Sequence, residues 1–197
     1  MLDKIVKTNY IRRLKIPSKE DLALRRYLEN ADIILRNGNW VSSGGLNVNY
    51  WITTEKLISN PDILKLIAKY VNTIIITKKI EAIAACSISG IPWAVAISLY
   101  CNMPLIILRK KRESHGEKSF IIGDSKSVIG KQTLLVDDSI LTGKTIRFFY
   151  GRLKKIGCKV ENIFVFDLWK KQEFVDNITI WAKQENISIW YAVSFNF

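Results

Sequence analysis

Residues 131–146 read KQTLLVDDSILTGKTI. An apolar run closes on two adjacent carboxylates, Asp137 and Asp138, and passes at once into a small, hydroxyl-rich turn. Such carboxylates do not bind phosphate, but as hydrogen-bond acceptors they suit a ribose diol, and as hard oxygen ligands they suit a hydrated Mg2+. The turn offers backbone N–H groups and hydroxyls from Ser139, Thr142, Gly143, Lys144 and Thr145 beside the positive end of a following helix, which is where a phosphate is held. Phosphate, sugar and metal are the combination this stretch implies. Gly143-Lys144-Thr145 also matches the end of a nucleoside-triphosphate loop, GxxxxGK[ST], but the glycine required at position 138 is Asp138, whose charge repels phosphate. A purely structural reading, a solvated strand end followed by a helix cap, is the other alternative.

In open parallel sheets ligands gather at the carboxyl ends of the strands, so the acids need such a sheet to place them. From Glu81 onward the chain has its rhythm: EAIAACSISG as strand and turn, IPWAVAISLYC as a helix with Pro92 in its first turn, PLIIL as a strand. A charged loop without periodicity, RKKRESHGEK, and SFIIG follow. TLLVDD then forms a third strand that ends at the acids, GKTIRFFYGRLKKIG a helix, and NIFVFDLW a fourth strand. Strands alternating with helices imply an α/β fold with a mostly parallel central sheet flanked by helices. Upstream, Ser18 and Asp21 resemble a capping box, and Lys19 to Arg36 has the apolar spacing of a helix that Asn37-Gly38 stops. A Gly-containing turn leads into a short alternating stretch around Val48 to Ile52, and Asn60-Pro61-Asp62 opens a second helix. Periodicity does not decide whether that helix crosses the β-branched run Thr73 to Thr77. The C-terminal EFVDNITIWAKQENISIWYAVSF reads as a helix and a strand that complete the domain edge.

At 197 residues, with no Gly/Ser/Pro-rich linker, the chain is expected to form a single domain. Apolar runs fall well short of the ~20 residues that span a bilayer, and the N-terminus lacks the apolar segment of a signal peptide, so a cytoplasmic protein without a membrane partner is expected. Cys86, Cys101 and Cys158 have neither zinc-site nor disulfide-framework spacing and read as small buried residues. The net charge of +12 makes an anionic partner reasonable, nucleic acid among them, but a Lys- and Ile-rich composition of the source organism accounts for it equally.

LLVDDSILTGKT resembles the phosphoribosyl-pyrophosphate (PRPP) motif of type I phosphoribosyltransferases, in which two acids precede a Thr-Gly-x-Thr phosphate loop. The resemblance extends upstream to SISGIPWAVAISLYCNMPLIILRKKRESHGEK, which is similar to the pyrophosphate loop, helix, strand and flexible lid of the orotate branch, and to NWVSSGGLNVNYWI, similar to its N-terminal substrate segment. It implies a base-side segment over residues 1–59, a PRPP-binding core over 60–175 and a C-terminal edge over 176–197. The activity implied is displacement of pyrophosphate from PRPP by a nucleobase nitrogen, with Mg2+, in a homodimer with shared active sites. By resemblance Asp137 and Asp138 hold the ribose hydroxyls and assist the metal or base, while Ser139, Ile140, Leu141, Thr142, Gly143, Lys144 and Thr145 cradle the 5′-phosphate. Ser87, Ile88, Ser89 and Gly90 form the pyrophosphate loop, and Arg109, Lys110 and His115 reach the pyrophosphate. Tyr50 and Trp51 match the aromatic pair beside the base.

The chain departs from the family pattern chiefly on the base side and in the lid. Glu113 stands at the position of the mobile lid lysine, with Arg112 beside it, and Ser89 and Ser42 replace cationic residues. Leu168 follows Asp167 where the family has an arginine, and Leu141 replaces a threonine that touches orotate. An orotate carboxylate loses its cationic partner, so a less acidic base is expected, with Leu141 and Leu168 as an apolar wall. The alternative is a catalytically silent sensor of PRPP or nucleotide that acts as a regulator, on nucleic acid given the basic charge.

Overall fold

The structure, a computed structural model, describes residues 9–195 except 31, 32, 43, 44, 46 and 112–118, with the backbone alone for residues 30, 34–37, 49 and 50. In chain order its elements are β1 (Ile11–Arg13), α1 (Ser18–Asn30), β2 (Ile34–Val41), β3 (Asn47–Ile52), α2 (Pro61–Thr77), β4 (Ala82–Cys86), α3 (Ile91–Cys101), β5 (Leu105–Leu108), β6 (Ile121–Ile122), β7 (Gln132–Ile140), α4 (Lys144–Lys155), β8 (Lys159–Trp169), α5 (Gln172–Gln184) and β9 (Ser188–Phe195). Seven strands form one sheet in the order β1-β9-β8-β7-β4-β5-β6, parallel throughout except for β5 with β6. The mostly parallel sheet expected from the strand and helix alternation is present, and β2 and β3 form a separate antiparallel ribbon.

The sheet is buried on both faces, which explains why β4 reads as an unbroken run of small apolar residues, every one of them buried. On one face Ile67, Val71 and Ile74 of α2 and Trp93 and Ile97 of α3 pack against Phe164 and Phe166, with Trp93 stacked on Phe166 at 4.4 Å. On the other, Ile146, Phe149 and Leu153 of α4 and Val175, Ile178 and Ala182 of α5 cover Leu135, Ile163 and Val165. Each large side chain withdrawn from water contributes about 1.5–3 kcal/mol, so the strand ends that carry the site are held by rigid layers above and below. Asn60 caps α2 by accepting from the N–H groups of Asp62 and Ile63, with Pro61 at the first helical position. The helix crosses Thr73 to Thr77, because its buried face continues through Ile74 and Ile75.

Three expectations are corrected. The first helix ends at Asn30, and residues 34–41 are strand β2, paired with β3 in the register Ile34↔Ile52 and Trp40↔Val48. Asn37-Gly38 falls where that register shifts, so it marks a bulge rather than a helix stop. β7 does not end at the acids but continues to Ile140, keeping its pairing with β8 as far as Ile140↔Leu168. The C-terminal strand is not the sheet edge: β9 lies between β8 and β1. Main-chain bonds from Ile189 N–H to the Tyr10 carbonyl and from Leu14 N–H to the Tyr191 carbonyl fix β1 outside it. Cys86 and Cys158 are buried and Cys101 partly so, all three as free thiols. Among the described residues no helix is long and apolar enough to cross a membrane.

Candidate active site

The carboxyl ends of β4, β5 and β7 open onto one cleft of about 170 Å3. Asp137 is only 2 % exposed and accepts hydrogen bonds on Oδ1 from the hydroxyl of Ser87 and, at 3.0 Å, from the N–H of Asp138. Ser87 has φ +67°, a left-handed conformation uncommon outside glycine, and its Oγ also accepts from Gly90 N–H at 3.0 Å. The loop after β4 is thereby pinned to β7. Gly90 is required there: a Cβ would stand 2.4 Å from the Cys86 carbonyl and 2.8 Å from Asp137 Oδ1. Asp138 Oδ2 accepts from Thr54 Oγ1 at 3.0 Å, a contact across 84 residues.

Burial, and then the adjacent charge of Asp138, pushes the Asp137 carboxyl well above the usual carboxylate range, against the pull of the Ser87 hydrogen bond. Asp138 is raised by burial as well, with hydrogen bonds from Asp137 and Thr54 opposing. The pair titrates as a unit in which Asp137 is the member that keeps a proton and Asp138 the one that accepts. Asp167 is fully buried behind them, its carboxyl raised by burial and then by the charge of Asp138, and Ser139 Oγ donates to its Oδ1 at 2.8 Å. Among the described residues no group of three or more His, Cys, Asp or Glu is arranged to hold a metal. A divalent ion here would need oxygens from its ligand in addition to these acids.

Ser139 to Thr145 all line the cleft, and α4 starts within them. Gly143 has φ +75°, which turns the chain so that the first N–H groups of α4 converge on the cleft floor, and Lys144 N–H lies 3.4 Å from Thr142 Oγ1. Lys110, just past β5, also reaches the cleft. Its backbone is clasped by Arg152 of α4, whose guanidinium lies over the rings of Phe120 and Phe148 at 3.9 and 4.3 Å and donates to the carbonyls of Arg109 and, at 2.9 Å, Lys110.

On the opposite wall Trp51 meets Trp169 edge to face, with ring centroids 6.2 Å apart, and Ser42, Ile52, Glu55 and Leu141 complete the lining. Glu55 accepts from Ser89 Oγ at 3.2 Å.

Most of the expected site residues are thus brought together: Ser87, Ser89, Lys110, Asp137, Asp138, the whole of 139–145 and Trp51. Three are not. Leu168 is 1 % exposed in the core under α4 and α5, because the pleat of β8 changes phase across Asp167. Phe164 and Phe166 face the α2–α3 side, so strict alternation would carry Leu168 there too; instead Trp169 reaches the cleft. Ile88 is 87 % exposed and lies outside the lining, as does Arg109, whose N–H donates to Phe120 and whose carbonyl is held by Arg152. Gly90 serves by close approach to Asp137. Arg112, Glu113 and His115, and with them the expected flexible lid, lie outside the described residues, and so does the side chain of Tyr50, whose backbone pairs with Arg36 in the ribbon. Thr54, Glu55, Arg152 and Trp169 carry no local sequence signal. Trp169 alone was within reach, as the next apolar residue after Leu168 on the same strand.

Comparison with known proteins agrees with this geometry. Residues 53–195 match the phosphoribosyl transferase domain family. Orotate phosphoribosyltransferase of Methanospirillum hungatei is 36% identical over 140 residues, which cover 71% of this chain and 78% of that one. The enzyme of the same name from Pyrococcus furiosus is 34% identical over 149 residues, 75% of this chain and 79% of its own. Orotate phosphoribosyltransferase of Mycobacterium tuberculosis superimposes with a TM-score of 0.68 over 89% of this chain and 95% of that one, at 17% identity, a likeness of fold.

Proposed function

The chain belongs to the type I phosphoribosyltransferase family, in its orotate phosphoribosyltransferase-like branch, and on that premise we propose that it transfers the 5-phosphoribosyl group of PRPP to a nucleobase nitrogen with release of pyrophosphate. The observation that carries this reading is the acid pair Asp137–Asp138 opening directly onto the Thr142–Thr145 turn and the start of α4 within one cleft. The turn and the α4 N–H groups take the 5′-phosphate, and Asp138 accepts from the ribose hydroxyls while Thr54 fixes its other oxygen. Lys110 and the Ser87–Ser89 loop face the leaving pyrophosphate. As the bond to pyrophosphate lengthens, positive charge grows on the ribose, and the Asp138 carboxylate lies where it lowers the energy of that charge. Mg2+ carried by the pyrophosphate oxygens, with Asp137 and Asp138 as ligands directly or through water, would neutralise the leaving group. The protein is taken to be cytoplasmic and homodimeric; support for the dimer comes from α3, which leaves Val95, Leu99 and Tyr100 exposed on a helix that is apolar all round.

The test is pyrophosphate release from PRPP and Mg2+ with a panel of nucleobases. Release that depends on one base or class of bases is the expected result. Binding of PRPP with no release for any base would move the chain to a second reading, a silent PRPP sensor. What favours that reading is Glu55 hydrogen-bonded to Ser89, an acid beside the loop that would hold pyrophosphate.

A further inference from the structure

The wall of the cleft opposite the phosphate turn is built from Trp51, Trp169, Leu141 and Glu55. The two indoles form an aromatic corner at an interplanar angle of 67°, in which the nearly buried Trp169 holds the half-buried Trp51 by its edge. A flat heterocycle stacks on such a surface, and this stacking tolerates any base because every base has a π-face. Charge is what discriminates. The cations among the described lining residues are Lys144, at the start of α4, and Lys110, clasped to the end of β5, both on the phosphate-binding side. The charged group on the aromatic side is the carboxylate Glu55, and its field reaches far enough into the site to raise both Asp138 and Asp167.

We propose that Glu55 and the Trp51–Trp169 corner select an uncharged planar nucleobase and reject one that carries a carboxylate. The inference rests on the phosphoribosyl-transfer reading above and names its acceptor class. A carboxylate-bearing base would bring a second negative charge to a wall whose own charge is negative, with the two carboxyls of Asp137 and Asp138 close by, and like-charge juxtaposition excludes ligands strongly in a closed site. An uncharged base meets no such penalty and keeps the stacking.

The experiment is calorimetric titration of the full chain with nucleoside 5′-monophosphates, the products of the proposed reaction, alongside PRPP as reference ligand. Uridine, cytidine and adenosine 5′-monophosphates present uncharged bases, and orotidine 5′-monophosphate presents the carboxylate. At least one uncharged-base nucleotide is expected to bind about tenfold or more tighter than orotidine 5′-monophosphate. Glu55→Gln should narrow that ratio and Glu55→Lys should invert it, with PRPP affinity of each variant reporting an intact phosphate site. Tightest binding of orotidine 5′-monophosphate by the unaltered chain, or a ratio that neither variant moves, overturns the inference while PRPP binding leaves the parent reading standing. Absence of PRPP binding in the unaltered chain removes both.

Discussion

Arg152 of α4 donates to the main-chain carbonyl of Lys110 at 2.9 Å, joining the helix that begins at the phosphate turn to the residue that enters the cleft from β5. Its guanidinium spends its fork on the carbonyls of Arg109 and Lys110 and its faces on Phe120 and Phe148, a combination that lysine cannot reproduce. Arg152→Ala should cost roughly 1.5–3 kcal/mol for the charged hydrogen bonds, read by urea unfolding, and weaken PRPP binding through Lys110. Arg152→Lys should recover only a small part of either loss. PRPP affinity unchanged in Arg152→Ala, or lost equally in an Arg152→Ala/Lys110→Ala pair as the sum of the singles, would show that the clasp does not position Lys110.

The buried acids give a pH signature. Asp137 and Asp167 have folded-state values raised by burial, so between the unfolded value of about 4 and the folded values the native state holds more protons than the unfolded state. Their effect is therefore to lower stability as pH rises through that window, the reverse of a salt-bridged carboxylate. Asp137→Asn and Asp167→Asn should flatten this slope and raise the melting temperature at alkaline pH, by about 2–4 °C for each kcal/mol recovered. The check is thermal unfolding of the unliganded protein from pH 5 to pH 9; steeper loss of stability in the variants would contradict the assignment.

The two glycines of the site should respond differently to alanine. At Gly143 the penalty is the left-handed backbone, about 1–2 kcal/mol, plus a Cβ 2.4 Å from Ile178 Cδ1, the far end of a side chain that can swing aside. Ile178→Val removes that atom and should recover part of the loss. At Gly90 the obstacle is the Cys86 carbonyl of the backbone, so Gly90→Ala should destabilise more and no neighbouring truncation should rescue it. Denaturant midpoints of the singles and the double measure both statements.

How much of this site could be read from the chain follows from how it is built. Asp137 to Thr145 and Ser87 to Gly90 are contiguous segments whose chemistry and spacing announce a strand end, a turn and a helix start. Thr54, Glu55 and Arg152 reach the site only by packing, across 84 residues in the case of Thr54 and Asp138, and nothing near them in sequence marks them. The β4 to β9 sheet was readable because burial on both faces imposes apolar runs, whereas β2 was mistaken for helix because Ile33-Ile34-Leu35 also satisfies a helical stripe and Asn-Gly serves bulges as well as helix ends. Leu168 and Trp169 exchanged roles because a phase change in a twisted strand leaves no trace in the order of apolar residues.

If α3 forms the subunit contact, Leu99, 78 % exposed, lies in it. Leu99→Glu should then yield a monomer by sedimentation while leaving the melting transition of the subunit near its original midpoint. A monomeric parent protein at working concentration would contradict the proposed dimer.

The central claim is that the cleft beyond β7 binds PRPP through its paired acids and phosphate turn. Titration of PRPP with Mg2+ into the unaltered chain and into the double variant Asp137→Asn/Asp138→Asn, followed by calorimetry with both proteins verified as folded, tests it most directly. The account predicts saturable binding by the former and none by the latter; equal affinity in the two would contradict it.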